Sequence, residues 1–384
     1  MMTENHIIDY SQYHILFISY VDQTVLSSGS SVRPAKMLEA FRKVGCKVTA
    51  LTGEQVEKER KREVKAVGRS IQYDKPDLCY IESPTYPIMR HADRKLIKLL
   101  CDNHIPTGYF YRDFYRRFPN EFPRRTSVSG RIKDFGLDIL QWLTDRALRY
   151  CDIVYVPSNA CKPLLNYRDI RALPPAGMIH LPERKEFNYT GIYVGGITGY
   201  YDAELLVDTF YKLHKRNSSY KLILVCRENE WECFHSPHKH ADWIEVHHTS
   251  GEGLVPLYEK ASFAAVVSNQ KYQYSEFAIS VKVFEYLSYG LPQVVTNSKA
   301  IAELIEKEKI GVVAESTSEA FADAIERNFA NPILYEEYQE NVRDSLTQRN
   351  LWEHRVETVV TDLLEKKNLE LSQPSGKLAK TDGD

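Results

Sequence analysis

Several absences narrow this chain before any motif is considered. No apolar run approaches the ~18–20 residues of a membrane-spanning helix. The opening stretch, Met1 to Gln12, is polar and has none of the charged head, apolar middle and small-residue cleavage site of a secretory leader. Neither sign of charge is in surplus: 50 Lys and Arg against 52 Asp and Glu give a formal net charge of −2. Nucleic-acid binders usually carry a basic excess, so no nucleic-acid partner is expected. The seven cysteines (Cys46, Cys79, Cys101, Cys151, Cys161, Cys226, Cys233) form no C-x-x-C pair, and several sit in apolar, strand-like runs. Buried free thiols in a reducing compartment are the expectation. What remains is a cytoplasmic, soluble protein whose 384 residues suit two domains.

Short apolar runs alternate with amphipathic stretches. Tyr13–Tyr20, Lys47–Leu51, Asp77–Ile81, Thr107–Tyr111, Asp152–Val156 and Gly177–Leu181 read as strands. Helical patterns fall at Ala35–Val44, Ala92–Cys101 and Ile132–Tyr150, the last with Phe135, Ile139, Trp142, Leu143 and Ala147 on one apolar, core-facing side. A second series follows the polar connector Pro182–Asn188, with strands at Thr190–Val194, Lys221–Cys226, Trp243–His247, Phe263–Ser268, Gln293–Thr296 and Gly311–Ala314. Strand–helix alternation with doubly apolar strands means parallel sheets covered by helices, hence an α/β protein. The expected domains are residues 1–183 and 184–349, with helices of 350–367 packing back on the first and a disordered tail over 368–384. Glu54–Lys65 packs nine charges into twelve positions and reads as a solvated helix.

The most informative segment is Ser280–Asn297, SVKVFEYLSYGLPQVVTN. Ser280 suits an N-cap, Val281–Tyr289 a short helix, and Gly290 followed by Pro292 a stop. Free N–H groups at such a helix start form an anion site. Lys282 adds a positive charge in the first turn, and Glu285 follows one turn later on the same side. Phosphates at the helix start and a carboxylate for the ribose hydroxyls would suit a nucleoside diphosphate. A surface Lys–Glu pair on an ordinary helix would look the same.

K-V-F-E-Y-L-S-Y-G-L-P-Q-V-V resembles the donor-site signature of retaining glycosyltransferases of family 4. The resemblance implies a GT-B fold: two facing doubly wound, Rossmann-like domains with a central cleft. It implies that Ser280, Val281 and Lys282 meet the diphosphate of a UDP- or GDP-sugar. Glu285 matches the second Glu of the family's E-x7-E motif, which holds the ribose. The first would fall at Phe277, with Glu276 one residue away: either the loop has slipped by one residue and Glu276 serves, or the sugar contact is made differently, for example by the backbone N–H groups of Phe277–Ile279. Tyr193–Thr198 resembles the turn opening the second domain, bringing Gly196 and Thr198 to the donor; the usual Arg and Lys are missing, and Arg227 is the candidate replacement. Arg146–Asn159 resembles the family's helix–strand–Ser segment. The loop Ser27–Ser31, with Gly29, Ser30 and Arg33, stands where the family's glycine-rich loop approaches donor phosphates and acceptor. Asp113 matches the Asp of a His-Asp strand end, Arg112 replacing the His, and Glu82 ends a neighbouring strand. Asp113, Glu82 and Lys282 are the expected catalytic groups.

No cofactor is expected. Cys233, His235, His238, His240, His247 and His248 follow no zinc spacing, so no metal is expected either. The acceptor implied is a glycan or a lipid-linked sugar. From Tyr109 to Lys133 the chain holds seven cations against two acids, interleaved with aromatics, which suits either peripheral contact with an anionic membrane at the inner face of the cell membrane or, equally, a solvated loop whose aromatics pack inward on the first domain. A sugar-nucleotide 2-epimerase of the same fold and a non-catalytic glycan- or partner-binding protein are the alternatives.

Overall fold

The computed structural model describes residues 8–21, 29–183 and 186–372. Its first sheet contains β1 (His14–Ile18), β2 (Lys47–Leu51), β3 (Leu78–Glu82), β4 (Thr107–Phe110), β5 (Ile153–Val156) and β6 (Ile170–Ala172), in the order β2-β1-β3-β4-β5-β6. The second contains β7 (Thr190–Val194), β8 (Lys221–Val225), β9 (Ile244–His247), β10 (Phe263–Val266), β11 (Gln293–Thr296) and β12 (Gly311–Ala314), in the order β12-β11-β10-β7-β8-β9. Every pairing between these strands is parallel. The order reverses between β1 and β3 in one sheet and between β7 and β10 in the other. At such switch points the crevice beyond the strand ends is open to a ligand.

Helices α1 (Gly29–Lys43), α2 (Arg60–Ser70), α3 (His91–Asp102) and α4 (Val128–Leu148) belong to the first half. The second half carries α5 (Ala203–Arg216), α6 (Glu228–Cys233), α7 (Val255–Lys260), α8 (Val281–Ser288), α9 (Lys299–Glu308), α10 (Ser318–Phe329) and α11 (Pro332–Arg349), before α12 (Trp352–Ser372) returns to the first sheet. Successive β1 residues take opposite faces. Leu16 and Ile18 pack with Val64, Leu96 and Leu148 of α2, α3 and α4, whereas Ile15 and Phe17 pack with Phe41 of α1 and Val356 and Val360 of α12. Both faces are therefore core, which is why the strands read as unbroken apolar runs. No helix among the described residues is long and apolar enough to cross a membrane.

The chain passes twice between the two sheets, after β6 and between α11 and α12. Gly177 and Leu351 form an isolated parallel bridge at these passages. Arg355, 7% exposed, ties them together. Its guanidinium donates to the carbonyls of Pro174 and Pro175 on one and to Arg349 O and Asn350 Oδ1 on the other.

Four expectations are corrected. Gly177–Leu181 is not a strand; the sixth is Ile170–Ala172, and the apolar run beyond Pro174–Pro175 packs beneath α12 or toward the second domain. The side of α4 expected in the core points outward: Phe135, Ile139 and Trp142 are exposed, because only the last turns of this helix reach the sheet, through Thr144, Ala147 and Leu148. The run Glu54–Lys65 also hides a buried residue, since Arg60 is fully enclosed and bonds Asp93 and Ser19 O. Helix α12 continues to Ser372, past the expected start of the tail; residues 373–384 lie outside the described residues.

Candidate active site

A cavity of about 290 Å³ lies between the domains at the β7/β10 switch point. Its walls include Val267 and Ser268 after β10, Ser280 and Lys282 at the start of α8, and Tyr115 and Phe122 from the first domain. Ser280 caps the helix, its Oγ accepting from Lys282 N at 3.4 Å, and Gly290, at φ +72°, follows it in the left-handed conformation its stop requires.

Lys282 is 8% exposed and makes no ion pair among the described residues. Its Nζ donates to Tyr193 Oη at 3.2 Å and lies 4.4 Å and 4.3 Å from the ring centres of Tyr193 and Tyr201. Burial pulls its pKa down to about 7, against the opposing pull of the Glu285 and Glu230 carboxylates. The close approach needs Gly195, where a Cβ would stand 2.5 Å from Nζ. An anion in the cavity would supply the missing counter-charge.

Glu285 is half-buried one turn along α8, and desolvation raises its pKa. It neighbours Tyr258 and Tyr289, which stack 4.4 Å apart, and is not part of the cavity wall. Glu276 accepts from Lys299 N at 2.9 Å and so caps α9. Phe277, standing where the motif's first Glu would be, packs 5.4 Å from Phe118 of the first domain, and its carbonyl accepts from Ser158 Oγ at 2.9 Å. This position joins the domains. Tyr274 extends the contact against Tyr115, Phe118 and Phe122, while Glu121 accepts from the backbone N–H groups of Gln273 and Tyr274.

Two first-domain candidates depart from their expected surroundings. Glu82 and Arg33 are 1% and 2% exposed and bond each other at 3.0 Å, with Tyr80 Oη donating to the same carboxylate oxygen at 2.7 Å. The Arg33 guanidinium lies 3.5 Å from the Phe110 ring centre. A lone strand-end acid was expected at the rim; instead it is a partner for a buried cation. Gly29 and Ser30 open α1, whereas Ser27 and Ser28 lie outside the described residues.

Asp113 accepts from Arg112 Nε at 2.9 Å and lines a second cavity of about 620 Å³ between the 115–125 loop and α4. Tyr115 and Phe122 belong to both cavities. Of the two readings of the basic, aromatic stretch, its packing is that of the loop whose aromatics turn inward. Tyr109, Phe110, Tyr111, Phe114 and Phe118 are buried, and Arg116, Arg124 and Arg125 pair with Asp138 and Asp134 of α4. Carboxylates just past the counted stretch, on a helix folded against it, offset much of its charge.

On the far side of the β7 turn, Glu230 accepts from Ile197 N at 2.9 Å and from Arg227, which is 77% exposed. Gly196 O accepts from Tyr193 Oη, and Thr198 is exposed. The phenol cage of Tyr193 and Tyr201 and the contacts of Glu121 and Tyr274 were not anticipated. Tyrosine abundance, 25 in this chain, was the only hint, and it carries no position. Among the described residues no three metal-ligating side chains converge; His238 stacks on Tyr211 and His247 pairs with Glu245.

Residues 188–331 match the sequence model described as Glycosyl transferases group 1. A search of curated proteins finds no match. Among solved structures, a glycosyltransferase from Rickettsia africae ESF-5 is similar over 95% of this chain and 100% of its own, with a TM-score of 0.60 and 14% identity. Anabaena HepE, solved in complex with UDP, is similar over 92% and 100%, with a TM-score of 0.61 and 12% identity. WaaG, a glycosyltransferase involved in lipopolysaccharide biosynthesis, is similar over 90% and 99%, with a TM-score of 0.57 and 13% identity. At these identities the likeness is one of fold. The chain thus has the two-sheet GT-B architecture, and its second half carries a glycosyl transferases group 1 domain.

Proposed function

We propose that the protein is a glycosyltransferase that moves a sugar from a nucleoside-diphosphate sugar to a hydroxyl of a glycan or lipid-linked acceptor, with retention, in polysaccharide biosynthesis. The observation that carries this reading is Lys282: a cation buried at a helix start, at a switch point, facing a cavity and lacking a carboxylate partner. HepE's bound UDP favours a UDP-sugar donor.

In this reading the diphosphate enters the 290 Å³ cavity against the first N–H groups of α8 and holds Lys282 in its ammonium form. Charge grows on the leaving oxygens as the sugar–phosphate bond breaks, so the ammonium and helix dipole stabilise the transition state more than the bound donor. The acceptor approaches through the 620 Å³ cavity, with Asp113 orienting its hydroxyl and Tyr115 and Phe122 excluding water at the shared wall. Attack comes from the face that the diphosphate leaves, and a diphosphate oxygen takes the acceptor's proton. Outside that cavity, Glu285 binds the ribose one turn along α8, and Arg227, Gly196 and Thr198 approach the donor from the β7 turn.

Calorimetric titration with UDP, GDP and their sugars tests the reading. The expected result is saturable UDP binding in wild type and loss of most of it in Lys282→Met. No nucleotide binding would refute it. Interconversion of a sugar nucleotide without an acceptor would favour the epimerase alternative.

A further inference from the structure

The cation at the start of α8 is held by a phenol and two ring faces, and the turn after β7 is shaped around it. Tyr193 is fully buried, and its Oη donates to Gly196 O. With that proton committed, the phenol oxygen offers a lone pair to Lys282 Nζ at 3.2 Å, so the lysine is the donor. Tyr201, half-buried, closes over the same Nζ with its ring centre 4.3 Å away. Both glycines of the turn are required by this arrangement. A Cβ on Gly195 would stand 2.5 Å from Nζ, and one on Gly196 would stand 2.7 Å from Tyr201 Cε2. Tyr286 of α8 ties the end of β7 to the same helix by accepting from Val194 N at 2.9 Å.

The charged and titratable groups around the lysine are otherwise engaged. Glu230 of α6 accepts from Ile197 N and Arg227, and Glu285 stands one turn on beside Tyr258; neither bonds Nζ. Cys226, after β8, is pushed up to about 11 by burial, and Tyr193 and Tyr286 are raised further, so all three are neutral. From the first domain the cavity receives Tyr115 and Phe122, which bring no charge. An ammonium has three N–H bonds, and among the described residues one is used. A phenol oxygen and ring faces attract a cation without cancelling its charge, as a carboxylate in the same place would.

We propose that Tyr193 and Tyr201 are positioning residues that hold Lys282 as an un-neutralised ammonium and turn its two remaining N–H bonds toward the diphosphate of the donor. The inference rests on the proposed reading of this cavity as the donor site and adds to it the residues that set the charge and aim of its cation. The two tyrosines act differently. Tyr193 stabilises the charged form through its oxygen, whereas Tyr201 supplies a ring face that keeps water away.

The test is an NMR titration of lysine ¹³Cε signals in the full chain, with the Lys282 signal assigned by its loss in Lys282→Met, alongside calorimetric UDP binding. Tyr193→Phe keeps the ring and removes the acceptor, so the Lys282 midpoint should fall by about one pH unit. UDP affinity relative to wild type should then drop roughly fivefold near pH 7 and little near pH 5, where both lysines are charged. Tyr201→Ala admits water, so the midpoint should rise toward that of an ordinary lysine. Near pH 5 its UDP affinity should still be roughly two- to fivefold weaker, because the charge is no longer held in place. Tyr201→Phe should restore the wild-type titration. Opposite shifts for the two positions are not expected of residues that only fill space. Tyr201 is half-buried, so its two variants test the cage even where Tyr193→Phe melts early. Unshifted titrations with intact UDP binding, or a Tyr201→Phe shift as large as that of Tyr201→Ala, would overturn the cage and leave the donor reading standing. Opposite shifts in a protein that binds no UDP would support the cage and overturn the donor reading.

Discussion

In each domain a buried cation stands in the first turns of a helix near the switch point: Arg33 on α1 and Lys282 on α8. Arg33 finds Glu82 at 3.0 Å and an aromatic face above it. Lys282 finds two phenol rings and no carboxylate within bonding distance. The same kind of burial therefore has two outcomes. An ion pair completed inside the chain is structural, and its partner cannot be removed cheaply. A buried charge left without its counter-ion costs stability and is tolerated where a ligand completes it.

The largest expected effect breaks the completed pair. Glu82→Gln leaves Arg33 buried with a neutral partner and should lower stability by about 3–5 kcal/mol, seen as an earlier melting transition. Nucleotide affinity of the folded fraction should hold. If melting is unchanged and turnover collapses, Glu82 is the catalytic acid of the sequence reading instead. Lys282→Met should do the reverse, weakening UDP binding by about 1.5–3 kcal/mol, the range for a bond to a charged group, while the melting temperature stays or rises. An earlier melting transition with full affinity would place Lys282 with Arg33.

A pH series sharpens the contrast. The Lys282 pKa is lowered by burial from 10.5 in the unfolded chain to about 7 in the fold. Between those values the unfolded chain holds the extra proton, so the destabilisation is full below about 7 and relieved as pH rises toward 10.5. The stability advantage of Lys282→Met over wild type should shrink across that window. Wild-type UDP affinity should fall by up to ~10-fold per pH unit above the folded value, and the variant's should stay flat. The smallest effect is expected at Arg227, whose exposed pair with Glu230 resembles neither extreme. Arg227→Ala should change stability by only ~0.2–1 kcal/mol in thermal or denaturant unfolding. A large loss of kcat there would make it the missing phosphate arginine.

The parts of this contrast readable in sequence are the local ones. Ser280 as cap and Gly290 as stop depend on backbone rules that act within one turn, and the apolar strands follow from burial on both faces. Long-range pairing was not readable. Arg33 and Glu82 stand 49 residues apart, and nothing in either neighbourhood marks the other. Periodicity located the apolar side of α4 correctly but does not say what covers it, so exposure of Phe135 and Trp142 ran against expectation. Phe277 looked like a lost carboxylate, because its packing partner, Phe118, lies in the other domain.

The guanidinium of Arg355 has a mechanical consequence. Two passages of chain, pinned side by side through Pro174, Pro175, Arg349 and Asn350, make a double-stranded hinge with a defined axis. Such a hinge lets one domain swing against the other and opposes twisting. Away from that axis, Phe277 against Phe118 and Glu121 against the Gln273–Tyr274 backbone act as a latch. Under the proposed function, admitting a donor to the cavity would require the latch to release while the pin holds.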